Sequence, residues 1–63
     1  MSNAVSEFIA QRGGTAVLAD RLNVKPVTIR AWRQRGIPRE RWPDLIELFP
    51  GTTLDELKRV EAA

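Results

Sequence analysis

Helix breakers fall so close together along this chain that no element can be long. Gly13-Gly14, Asn23, Gly36-Ile37-Pro38, Pro43 and Pro50-Gly51 cut it into short pieces. Glycine and proline are the strongest local punctuators, and asparagine tolerates the left-handed backbone that ends a helix. Between these points apolar residues recur at helical spacing, and no stretch alternates apolar and polar long enough to make a strand. The expected fold class is therefore all-α, a compact bundle of about five short helices in a single domain spanning residues 1–63. A chain of this size buries only about 60% of the surface that its unfolded form exposes, so its one core is marginal.

The spacing sets the elements. Val5, Phe8 and Ile9 share one face of a helix over about Ala4 to Gln11, which Gly13-Gly14 ends. Ser2, Asn3 and Ala4 are given no role. A second helix begins near Thr15, with Thr15 as its cap and Leu18 and Leu22 inward. Pro26 suits the first position of a third helix, because its missing amide proton would be unsatisfied there anyway. Ile29 and Trp32 are its inward face, joined by Val24, and Gly36 closes it. Pro43 disfavours helical geometry at Trp42, so a turn is expected at Pro38–Arg41 and a helix from about Trp42 or Pro43 to Phe49. Leu45, Ile46, Leu48 and Phe49 are its expected buried side. Thr53-Leu54-Asp55-Glu56 is a capping-box pattern for a last helix to about Glu61, with Leu54, Leu57 and Val60 inward. Trp32 belongs to the core, whereas Trp42 either caps the core or lies partly exposed at an interface.

Composition removes several classes of function. The chain has no Cys and no His. Disulfides, zinc sites built on thiolate or imidazole, and catalysis by either group are excluded. No carboxylate pair is flanked by a nucleophile, so no enzyme and no metal or other cofactor is expected. No apolar run approaches the roughly 20 residues of a membrane span, and the first residues lack a basic-then-apolar signal, so a cytoplasmic location is expected. With no room for a separate ligand domain, no small-molecule effector is expected.

The net charge of +2 hides an asymmetry. From Arg12 to Arg41 eight bases (Arg12, Arg21, Lys25, Arg30, Arg33, Arg35, Arg39, Arg41) face only Asp20 and Glu40, a local excess of +6. From Trp42 onward Lys58 and Arg59 face Asp44, Glu47, Asp55, Glu56 and Glu61, a local −3. Such a basic block indicates either a polyanionic partner or a solvated helical face.

Between the second and third helices there is almost no chain. Ala19 is small where two helices must cross closely, Asn23 can start a tight turn, and Leu22, Val24 and Ile29 place apolar groups before, inside and after it. The stretch Thr15 to Pro38, with Leu18-Ala19, Val24, Ile29, Trp32 and Gly36-Ile37-Pro38 in register, resembles the helix-turn-helix of the Cro-like and phage-repressor-like family. Within it the chain is most similar to small YdaS-like bacterial and prophage regulators, on a lambda-repressor-like fold. The stretch departs from the family pattern at Asn23, where a glycine is usual, at Lys25, where a Ser or Thr cap is usual, and at Thr15, where a Gln is common.

The resemblance implies a sequence-specific double-stranded DNA-binding transcriptional regulator, of Cro-like repressor type, acting as a homodimer with the third helix in the major groove. Carried over by position, Lys25, Pro26, Val27, Arg30, Ala31 and Gln34 would face the bases. Arg30 is suited to guanine, Gln34 to adenine or a phosphate, and Val27 to a thymine methyl or partly to the core. Thr15, Thr28, Arg33, Arg35, Arg39 and Arg41 would meet phosphates, with one or two of these arginines pairing instead with Glu40 or Asp44. Arg21 is expected to pair with an acid. The alternative is a protein-interaction module such as an antitoxin or adaptor on the same helical fold, suggested by the acidic tail and its apolar stripe.

Overall fold

The computed structural model describes residues 3–63. Five helices follow in order: α1 (Ala4–Gln11), α2 (Thr15–Leu22), α3 (Pro26–Arg35), α4 (Trp42–Leu48) and α5 (Leu54–Ala62), with a single 3-10 turn at Arg39–Arg41 before α4. Among the described residues there is no strand. The all-α bundle expected from the breaker spacing is what the chain forms.

Local chemistry explains the boundaries. Pro26 opens α3, and Asn23 takes the left-handed conformation (φ 57, ψ 45) that turns the chain out of α2. The α2–α3 connection is three residues, with Val24 half-buried against the core. Thr53 caps α5, its Oγ1 accepting from the Glu56 amide at 3.1 Å. At the α1–α2 corner Gly13 has φ 104, and a Cβ there would come within 3.1 Å of the Val17 side chain, so both backbone and space call for glycine.

One core joins all five helices. Val5, Phe8 and Ile9 of α1, Leu18, Ala19 and Leu22 of α2, Ile29 and Trp32 of α3, Trp42 and Leu45 of α4 and Leu57 of α5 are buried, with Ile37 and Phe49 from the connections. Trp42 is a core residue: its Nε1 donates to the Ile37 carbonyl at 3.3 Å, holding the Gly36-Ile37-Pro38 exit against α4.

Four expectations need correction. Thr15 does not cap α2; it is the first helical residue, after Gly14, and its hydroxyl accepts from Arg33 instead. Asn3, given no role, caps α1: its Oδ1 accepts from the Val5 amide at 2.8 Å (Ser2 lies outside the described residues). Trp42, one of the two expected starts of α4, is helical (φ −60, ψ −45) despite the following Pro43, its indole buried in the core. Ile46 is exposed, since Trp42, Leu45 and Phe49 already define the inward side of so short a helix. Leu54 is 47% exposed. At that end of α5 the contact with α1 is made by Arg12 rather than by a leucine.

Arg12 is the principal polar tie of the fold. Its side chain is only 11% exposed, with the guanidinium 3.6 Å from the Phe8 ring centroid. Nε donates to Thr52 Oγ1 at 3.0 Å, Nη1 to the Phe8 carbonyl at 3.1 Å and Nη2 to Glu56 Oε1 at 2.6 Å. Glu56, which the capping box would turn back toward Thr53, is directed to Arg12 instead. The pair is only partly buried, its side chains 11% and 27% exposed, so removing Arg12 costs less than the roughly 3–5 kcal/mol of a fully buried pair. Even a fraction of that is a large share of what a core of this size supplies, roughly 3–5 kcal/mol. Arg12→Ala is therefore expected to lower the urea midpoint clearly at 25 °C, as read by circular dichroism. A midpoint within experimental error of wild type would contradict this role.

Candidate nucleic-acid interface

The helix α3 reaches the surface along one side. Ile29 and Trp32 hold it to the core. Val27, Arg30, Ala31 and Gln34, related by three-, four- and seven-residue steps, occupy the opposite side. Val27 is 61% exposed, which settles its place outside the core. Arg30 and Gln34 are exposed, Ala31 is half-buried, and Lys25 and Pro26 stand exposed at the helix start. Lys25 precedes α3 without a side-chain cap.

The basic block is divided by its ion pairs. Arg12 is taken by Glu56, Arg39 by Glu61 and Arg41 by Asp44 at a loose 3.8 Å. All three acids come from the acidic C-terminal segment, so much of that segment's charge is answered within the molecule. Arg39 makes a two-pronged contact, Nε to Glu61 Oε2 at 3.0 Å and Nη2 to Oε1 at 2.8 Å, and lies 5.4 Å from the Trp42 ring. Arg21 pairs with no acid, contrary to expectation, and stands 5.6 Å from the Phe49 ring. Arg33 donates to the Thr15 hydroxyl at 3.0 Å. Among the described residues Lys25, Arg30, Gln34 and Arg35 make no side-chain hydrogen bond or ion pair. Arg21 on α2 and Lys58 and Arg59 on α5 also lack an acidic partner among the described residues, but α3 and its cap carry more such bases than any other element.

Thr28, Ala31 and Arg35 border a shallow groove beside α3 whose far wall is Gly36-Ile37-Pro38. Thr28 is half-buried there and Arg35 exposed. Arg39 and Arg41, expected beside the DNA backbone, are those with acidic partners. Asn3 is the residue that sequence reasoning missed, since its Nδ2 donates to the Arg33 carbonyl at 2.7 Å and so ties α1 to the last turn of α3. An Asn ahead of an amphipathic run is a capping signal, but nothing in the sequence points to a contact thirty residues away.

No buried side-chain nitrogen or oxygen among the described residues lacks a hydrogen-bond partner. No cluster of metal-ligating side chains is found among them, and no helix is long and apolar enough to cross a membrane. Comparison with family models, with curated proteins and with solved structures finds no match for this chain.

The Arg39–Glu61 pair lowers the Glu61 carboxyl pKa, chiefly through the hydrogen bond from Arg39, with exposed Coulombic attraction adding less; Arg39 is raised in turn. A carboxyl depressed in the folded state stabilises it above the unfolded pKa, and that contribution disappears as pH falls through the folded value. Wild type should therefore melt slightly above Glu61→Gln at neutral pH. The two melting temperatures should converge as the pH is taken down through the carboxylate range. A difference that persists into strong acid would rule the pair out as its source.

Proposed function

We propose that the protein is a sequence-specific double-stranded DNA-binding regulator in which α2 and α3 act as a helix-turn-helix. The observation that carries this reading is that, among the described residues, α3 and its cap hold more bases without acidic partners than any other element. Three bases elsewhere in the block pair with acids, while Lys25, Arg30 and Arg35 remain exposed without partners on the helix that resemblance assigns to the major groove.

The side chains on that face suit base edges. The fork of Arg30 matches guanine O6 and N7, the amide of Gln34 matches adenine, and the exposed Val27 offers an apolar surface to a thymine methyl. Arg35 and Thr28 would meet phosphates, which hold register without reading sequence, and Lys25 would face the bases at the helix start. A duplex ligand also agrees with the aromatic residues. Phe8, Trp32, Trp42 and Phe49 are all buried, so the protein offers no aromatic platform for unstacked bases, the usual device for single strands. One α3 offers only a few base-facing groups, so tight binding calls for a homodimer on two half-sites about one helical turn apart. The acidic segment, which suggested a protein partner instead, has Asp44, Glu56 and Glu61 engaged internally.

The test begins with selection of bound duplex from a random pool and a salt series on the product. Affinity should fall with salt at a slope of about −0.9 per phosphate neutralised. Arg30→Ala should cost about 1–3 kcal/mol on the selected duplex and flatten the base preference at one position. A salt-independent affinity, or an Arg30→Ala protein with unchanged base preference, would refute the reading.

A further inference from the structure

Three helix ends meet at Arg33. Asn3, the cap of α1, donates from Nδ2 to the Arg33 carbonyl at 2.7 Å while its Oδ1 accepts from the Val5 amide. Thr15, the first residue of α2, accepts from Arg33 Nη2 at 3.0 Å. Arg33 itself lies in the last turn of α3. The carbonyls of a helix's last turn have no partner within the helix, and Asn3 supplies one from another element.

We propose that Arg33 is a positioning residue that sets how α3 presents its outer face, and is not one of the phosphate ligands. This rests on the duplex-binding reading above. Burial of Ile29 and Trp32 and the three-residue turn from α2 set which side of α3 faces inward. Apolar contact is non-directional, so it sets that side without fixing the last degrees of roll. Hydrogen bonds are directional, and weaken steeply when misaligned. The two bonds at Arg33, one to its carbonyl and one from its side chain, run to different helices, so together they refine the roll that burial of Ile29 and Trp32 sets. Arg30 lies one turn before Arg33 and Gln34 directly after it. A roll released at Arg33 displaces both reading groups from the base edges while leaving the surrounding charge nearly unchanged. Asn3 and Thr15 thereby become determinants of DNA specificity without lying on the reading face.

A phosphate ligand and a positioning residue give different signatures. Losing a phosphate ligand weakens binding uniformly across sequences and lowers the salt slope by about one. Losing the positioning bonds lowers the preference for the right sequence and spares the slope. A fall in folded fraction alone lowers affinity for every duplex equally, so the preference ratio separates misorientation from instability. The decisive variants carry no charge change. Asn3→Ser keeps a capping oxygen for α1 but is too short to reach the Arg33 carbonyl, and Thr15→Val removes the acceptor for Arg33.

The experiment measures affinity for the duplex recovered by selection and for a scrambled duplex of equal length and composition, across a salt series. Wild type, Asn3→Ser, Thr15→Val, Arg33→Ala and Arg35→Ala are compared. Asn3→Ser, Thr15→Val and Arg33→Ala should each lower the ratio of the two affinities, by up to about tenfold for the loss of a hydrogen bond, with the wild-type slope. Arg35→Ala should lower the slope by about one and keep the ratio. The proposal is overturned if Arg33→Ala behaves like Arg35→Ala, or if Asn3→Ser and Thr15→Val both keep the wild-type ratio. A wild type that binds no duplex even at low salt fails the underlying reading and takes the proposal with it.

Discussion

A guanidinium held inside a domain of 63 residues dictates much of what surrounds it. Arg12 follows the last residue of α1, stacked on Phe8, and donates to the Phe8 carbonyl, to Thr52 and to Glu56. Thr52 is buried to meet it, and Glu56 turns from its own helix cap to neutralise it. Thr52 and Glu56 lie 40 and 44 residues from Arg12 along the chain. The result closes α5 onto α1, so that the beginning and end of the fold clasp each other around the central helices. A lysine could carry the charge but could not fork to three acceptors in one plane.

The same kind of pairing shapes the surface. The bases of the sequence form one block, yet the folded chain sorts them by whether an acid comes within reach. Acids on α4 and α5 come alongside Arg12, Arg39 and Arg41 and leave α3 alone. A block of eight bases in the sequence is thus divided in space, among the described residues, into three that are paired with acids and five that are not. The net charge would never reveal this, since pairing does not alter it.

Most of the architecture was legible because it is written locally. Pro26 at a helix start, Asn23 at a left-handed turn and Thr53 three residues before Glu56 each act over a few residues, and each takes its expected place. The errors lie where a distant partner decides. Thr15 has the chemistry of a cap, but Arg33 claims its hydroxyl. Ile46 and Leu54 have inward spacing, but short helices have room for fewer inward positions than the pattern offers. Arg12 reads as one more surface base, and nothing near it in sequence says otherwise. The outward face of α3 followed from its apolar spacing, since Ile29 and Trp32 fix which side is buried. The division of the arginines into paired and unpaired did not, because it depends on which helices lie side by side.

The helices themselves are 8, 8, 10, 7 and 9 residues long. Isolated helices below about 12–15 residues are marginal in water. None of these would persist alone, and each owes its existence to burial against the others. Since the outermost two also clasp each other, no subset of the chain forms a closed core. The domain is indivisible: its backbone amides should open to exchange together, in one cooperative event, and the helix that faces outward is only as permanent as the clasp on the far side of the molecule.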